Sequence, residues 1–339
     1  MANTLAFALA GLGGFNAHGA GFLTAAAELG VEPNLVTATS GQIIVLGEWL
    51  RGTDLKSFLI DPDRPRGPLG TLLTAYSGDP GIFRPAVPEF WRRWTRWPAT
   101  PSEVAARLFP AQEYVPLRSE AYLSGIADLL NSAPFGVVFN AYDPRQGTGA
   151  LFGNAAAGLL WSDGDLRPIA GEAVAAALWL SLYGFEGLPG GLMDGAYQRP
   201  CIVAELHRFD RIYAVRPLAQ GWRGKVPATW FDVQDWQCEM WFSAGYAAEV
   251  ADMARINQLI EEGALTDPRF RKIQLIGDRP PSRLLQLFHR ASASFRCGLR
   301  QSPRNPAGSQ MTRAGALNTC WRKPSKGADA PSSARSASG

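Results

Sequence analysis

Two short apolar runs near the start of the chain, Leu5 to Leu9 and Leu35 to Thr39, constrain it most, because each stops at small residues and gives way to a helical stretch. Runs of this length and composition read as strands buried on both faces. The first is ended by the glycines of GLGGFN, and the Ala- and Leu-rich stretch from Gly21 to Leu29 closes at Gly30, as a helix does at its C′ position. The second leads at once into a helix expected over Gln42 to Leu50, with Gly52 just beyond it. Two strand-helix units in succession predict a mostly parallel central sheet with right-handed crossovers, and so a three-layer α/β/α fold.

Later segments extend the pattern. Phe135 to Tyr142 (FGVVFNAY) and Arg211 to Val215 (RIYAV) read as strands, and Ala173 to Leu182 and Ala247 to Glu262 as helices. Residues 64–116 break the rhythm with prolines and aromatics, among them Phe90, Trp91, Trp94 and Trp97, which predicts an insertion or lid over the sheet. Trp222, Trp230, Trp236 and Trp241 are expected to fill core space or line an acyl pocket. Residues 1–295 are thus expected to form one domain, and the 46% hydrophobic content of the whole chain supports a sizeable core.

After Cys297 the chain is rich in Ser, Ala, Gly, Pro and Arg without apolar periodicity, so 296–339 is expected to be a disordered basic tail. Seven of the 33 basic residues follow Cys297, with one of the 30 acidic ones. The basic balance therefore belongs to the tail and does not predict nucleic-acid binding by the fold. The four cysteines are widely spaced, with no CxxC pair and no histidine partners, so neither a metal nor a cofactor is expected. The apolar N-terminus lacks a basic leader region and is broken by glycines, and no apolar run reaches the ~18–20 residues of a membrane span. A cytoplasmic location is expected. The aromatic and basic cluster Trp91, Arg92, Arg93, Trp94, Arg96 and Trp97 also predicts a peripheral membrane contact through Trp91, Trp94 and Trp97.

Two pieces carry chemistry. In Ala38, Thr39, Ser40, Gly41 and Gln42 a strand ends on a serine and a helix begins at once, which lifts the hydroxyl out of the sheet beside helix amides. A serine in that position is either a nucleophile or a plain helix cap. In GLGGFN, Gly11, Gly13 and Gly14 let the backbone turn sharply and point amides into a cavity, which suits either a phosphate or an oxyanion. A dinucleotide site would want a third glycine where Asn16 stands and an acid at the end of the second strand, where Thr39 and Ser40 stand.

Read together, GLGGFNAHGAGFLTAAAELGVEPNLVTATSG resembles the glycine-rich oxyanion loop, first helix and nucleophile elbow of the patatin-like phospholipase family. AVAAALWLSLYGFEGLPGGLMDGAYQRP is similar to the helix, proline-containing turn and Asp-Gly-Ala motif of that family, with Asp194, Gly195 and Ala196 in the motif positions. The resemblance extends to HRFDRIYAVRPL, so it covers roughly residues 5–220. It implies a serine lipid-acyl hydrolase in which Asp194 serves as base to Ser40 without a histidine. The backbone around Gly11, Gly13, Gly14 and Phe15 would form the oxyanion hole, and the substrate would be a lipid or other acyl ester.

The elbow departs from the family pattern at Ala38 and Gln42, where glycines are usual, with a glycine at Gly41 instead. A lipid- or partner-binding module that has lost catalysis is therefore one alternative. An α/β-hydrolase with Ser40, Asp194 and either His207 or His289 as a triad is another.

Overall fold

The structure is a computed structural model that describes residues 4–11, 16–59, 82–95, 97–98, 100–108, 110–161, 164–216, 226–228, 230–267, 270 and 272–277. In chain order the elements are β1 (Leu5–Leu9), α1 (Asn16–Glu28), β2 (Leu35–Ala38), α2 (Gln42–Arg51), α3 (Leu55–Leu59), β3 (Phe83–Pro85), α4 (Val87–Arg93), α5 (Pro101–Leu108) and β4 (Tyr114–Pro116). They continue with α6 (Glu120–Asn131), β5 (Gly136–Asp143), β6 (Thr148–Gly153), α7 (Ala155–Leu160), β7 (Arg167–Pro168), α8 (Gly171–Ala177), β8 (Met193–Asp194), β9 (Arg211–Val215), α9 (Trp230–Glu261) and β10 (Gln274–Gly277).

Strands β10, β9, β1, β2 and β5 lie side by side and parallel, and β6 and β7 extend the sheet beyond β5 in the opposite sense. Alternate residues of the strands feed two separate cores, as side-chain alternation requires. Phe7, Leu9, Val36, Ala38, Val137 and Phe139 pack under α1, α2, α6 and α8. On the other face Ala6, Ala8, Leu35, Val138, Ile212 and Ala214 meet Ala157 of α7, the segment from Cys201 to Leu206, and Tyr246 and Met253 of α9. The fold is thus the expected three-layer α/β/α arrangement.

Several boundaries differ from the sequence expectation. Helix α1 begins at Asn16 and so includes Gly19 and Gly21, which would normally weaken a helix interior. Helix α8 stops at Ala177, short of Leu182, because the chain beyond it turns toward β4, where Leu182 accepts the amides of Glu113 and Tyr114. Helix α9 starts at Trp230, well before Ala247. Trp236 and Trp241 on it are exposed, so neither fills a core as expected. Trp222 lies outside the described residues, and the side chain of Trp230 is likewise not described.

The part of the insertion that is described, from residue 82 on, is a hairpin of β3 against β4 that encloses α4 and α5. It forms a sheet of its own rather than joining the main one. The tail expected at 296–339 lies outside the described residues. Among the described residues no helix is long and apolar enough to cross a membrane.

Candidate active site

The C-terminal ends of β1 and β2 lie side by side, with Leu9 opposite Ala38, and Thr39 donates its amide to Leu9. Ser40 then takes a φ of +57°, and it is the sole non-glycine residue with a positive φ among those described. A left-handed backbone at a residue with a Cβ costs of order 1–3 kcal/mol and persists where the surroundings impose it. Here Gln42 donates its amide to Thr39 and Ile43 to Ser40, so α2 starts directly from the turn. The serine is thereby set at the C-terminal end of β2, inside the sheet, beside the positive end of the α2 dipole.

Strand register brings the second residue to it. One edge of β5 is occupied by β6 from Val138 to Asp143. Its other edge pairs with β2 up to Phe139 and then with β8, through Ala141 opposite Asp194 and Tyr142 opposite Met193. Strand β8 therefore takes up the rung where β2 leaves off, and Asp194 lies beyond the end of β2, where Ser40 turns. The Ser40 hydroxyl donates to Asp194 Oδ2 at 2.5 Å.

The turn of Gly195–Tyr197 follows, and Asp194 Oδ1 caps it by accepting the Ala196 amide at 2.8 Å. The Asp194 amide itself donates to the Trp179 carbonyl at 3.0 Å. Asp194 is buried, and loss of water pushes its carboxyl up to about 7, since bonds from Ser40 and Ala196 offset only part of the cost.

Glycines admit the close approaches around this pair. A Cβ on Gly11 would lie 2.1 Å from the Thr39 carbonyl oxygen and 2.6 Å from Ser40 Cβ. The Gly11 amide donates to Pro200 O at 3.0 Å, and Gly11 gives clearance to the serine turn. Gly13, Gly14 and Phe15 lie outside the described residues. At Gly41 a Cβ would fall 1.9 Å from Asn16 Nδ2, although its φ of −57° is open to any residue. The side chain of Gln42 is buried and runs to α1, where a Cβ on Gly19 would lie 2.1 Å from its Oε1. Its Nε2 donates to Asn16 O at 3.4 Å. The bulk that Gln42 adds to the elbow is therefore taken up where α1 has no side chain, a compensation visible only in the packed helices. On the far side of the turn Asn140, next to Ala141 in β5, packs on Gly195 and donates to Arg199 O at 2.9 Å; nothing in its sequence neighbourhood marks it out.

Histidine is placed elsewhere. His207 stacks on Phe270, with its Nδ1 3.2 Å from Ala204 O. Asp210, just beyond it, accepts from Thr4 before the start of β1, so His207 lies toward the N-terminal ends of the strands, while Ser40 follows the C-terminal end of β2. The triad through His207 is thus not formed, and His289 lies outside the described residues.

In the insertion, Trp97 and Trp91 are 91% and 65% exposed. Trp94 instead packs on Phe90 and under Arg107, so it does not share their outward face as expected.

No protein-family model matches the chain, and no curated protein matches it. By fold it is similar to VipD from Legionella pneumophila, whose crystal structure aligns with a TM-score of 0.33 at 11% identity, over 88% of this chain and 66% of VipD. The chain therefore spans just under two thirds of the length of VipD, and a likeness of this degree carries no argument about function.

Proposed function

We infer that the protein is a serine acyl-ester hydrolase acting on lipids, with Ser40 as nucleophile and Asp194 as its base. The observation that carries this reading is the Ser40 hydroxyl in a left-handed turn at a strand end, hydrogen-bonded at 2.5 Å to a buried carboxyl whose affinity for protons is raised toward neutrality. A serine hydroxyl attacks only if its proton is removed, and a base with a pKa near 7 can both take that proton and return it.

In the first step Ser40 Oγ bonds to the ester carbonyl carbon while its proton passes to Asp194. The tetrahedral oxyanion then collapses, the bond to the leaving alkoxide breaks, and Asp194 returns the proton to it. Water repeats the sequence on the acyl-serine and releases the acid. Amides in the stretch of Gly13, Gly14 and Phe15 would hold the oxyanion, with the α2 dipole adding positive potential beside it. The outward face of the insertion, with Trp91 and Trp97, would rest on the lipid surface.

Ser40→Ala and Asp194→Asn should each abolish hydrolysis and leave the melting temperature near or above that of the wild type. The double variant should be no worse than the poorer single one, because the two residues act as one unit. Labelling of wild type by a fluorophosphonate, with peptide mapping to Ser40, is the direct measurement. Retention of near-normal ester turnover by Asp194→Asn would remove the dyad.

A further inference from the structure

A cavity of about 410 Å³ lies between the insertion and the helices α6 and α8, within the ~300–1,000 Å³ typical of small-molecule sites. Apolar groups line it: Ile82 and Pro116 from the insertion, Leu123 from α6, and Ala175, Leu178 and Trp179 along α8 and its continuation. The charged members are Arg118, Glu120 and Glu172, and both glutamates are exposed, so charge marks the open rim.

Position links this cavity to the dyad. The lining residues Gly171, Ala175 and Leu178 form one stripe along α8, and Trp179 extends it in the turn that ends the helix, its amide bonded back to Ala176. At ~1.5 Å per residue the stripe is roughly 12 Å long. It ends at Trp179, whose carbonyl accepts the Asp194 amide. One end of the apolar wall is therefore a single hydrogen bond away from the residue that holds Ser40.

We propose that this cavity is an acyl pocket that takes one unbranched hydrocarbon chain of medium length, with its ester carbonyl at Ser40. The proposal rests on the hydrolase reading for that last element. An extended chain advances roughly 1.1–1.2 Å per bond, since three backbone bonds span ~3.3–3.6 Å, so the stripe accommodates about ten bonds. The volume agrees, because at ~30 Å³ for a water-sized group there is room for roughly a dozen methylenes. A palmitoyl chain would emerge past the charged rim and gain nothing from its last carbons. Up to the pocket's length, each added methylene should tighten binding about fourfold.

The test uses the full chain and a series of p-nitrophenyl esters from butyryl to palmitoyl. In wild type, kcat/KM should climb to a maximum near decanoyl and then stop rising. Ala175→Trp, which fills the stripe, should cut decanoyl turnover at least tenfold more than butyryl turnover. Leu123→Trp, on the opposite wall, should do the same if Ala175→Trp fails to fold. Binding of dansylated undecanoic acid to Ser40→Ala supplies a readout without catalysis, and adding Ala175→Trp or Leu123→Trp should weaken it at least tenfold. Folded tryptophan variants that keep the wild-type chain-length profile and the wild-type probe affinity would overturn the pocket. Probe binding that the substitutions abolish, in a protein that hydrolyses no ester, would uphold the pocket and remove the hydrolase reading instead.

Discussion

Burial keeps the Asp194 carboxyl protonated up to about pH 7, and this sets opposite pH responses for activity and stability. Only the carboxylate can accept the Ser40 proton, so hydrolysis should rise with pH along a limb centred near 7 and level off above it. Folded protein binds this proton more tightly than the unfolded chain, in which an aspartate titrates near ~3.9. The stabilisation from this group is therefore complete below about pH 4 and is lost as pH climbs toward 7. A profile of kcat/KM against pH with a soluble ester checks the first statement, and a limb centred near 4 would mean that the carboxyl is hydrated in the working enzyme. Urea midpoints of wild type and Asp194→Asn check the second. At pH 8 the asparagine variant should be the more stable, by the order of a few kcal/mol, because it buries no charge.

Helices α1 and α2 meet through Gly19 and Gln42, and the close approach reverses a rule that holds for isolated helices. Replacing a helix-interior glycine with alanine ordinarily gains about 1 kcal/mol. At Gly19 the new methyl would meet Gln42 Oε1 at 2.1 Å, so Gly19→Ala should lose about 1–3 kcal/mol as overpacking does. With Gln42→Ala in the same chain, the ordinary gain should return. Denaturant midpoints of the four proteins measure the coupling, and additive effects would show that the two helices do not press on each other. This pair also explains what could be read from the sequence. Ser40 stands out in the sequence by a local signal, a strand end followed at once by a helix, whereas Asp194 is singled out only through the family resemblance of its Asp-Gly-Ala stretch. The start of α1 is not legible, since Gly19 reads as a breaker until the Gln42 side chain is in place. Helix α9 was half missed for a related reason. Its anchor is Glu249, which accepts from Arg199 at 2.7 Å and from the amides of Val203 and Ala204, and no apolar period announces such contacts. The two residues of β8 carry no strand signal at all; only the free edge of β5 makes them a strand.

At the scale of the whole molecule, the insertion presents Trp91 and Trp97 outward beside Arg92, while Trp94 is half-buried against Phe90 and Arg107. Indole rings settle at the headgroup level of a bilayer, and each arginine near an anionic surface adds about 1 kcal/mol. Trp91→Ala with Trp97→Ala should weaken sedimentation with phosphatidylserine vesicles while sparing turnover of a short soluble ester. Trp94→Ala should mainly lower the melting temperature. Equal loss of vesicle binding and soluble turnover in the Trp91 and Trp97 variant would assign those side chains to packing. The shared edge of β5 has a different kind of consequence, for how such a site can drift over generations. The spacing between Ser40 and Asp194 is set by hydrogen-bond register, not by the length of the connection that precedes β8. That connection turns on Gly184, Gly187, Gly190 and Gly191, all at positive φ, and it can lengthen or shorten as long as β8 still lands on the same rung. A slip of one residue would send the carboxylate to the opposite face of the sheet. Lineages carrying this fold could therefore vary freely in that loop and yet lose the pair in a single step, with no half-working form in between.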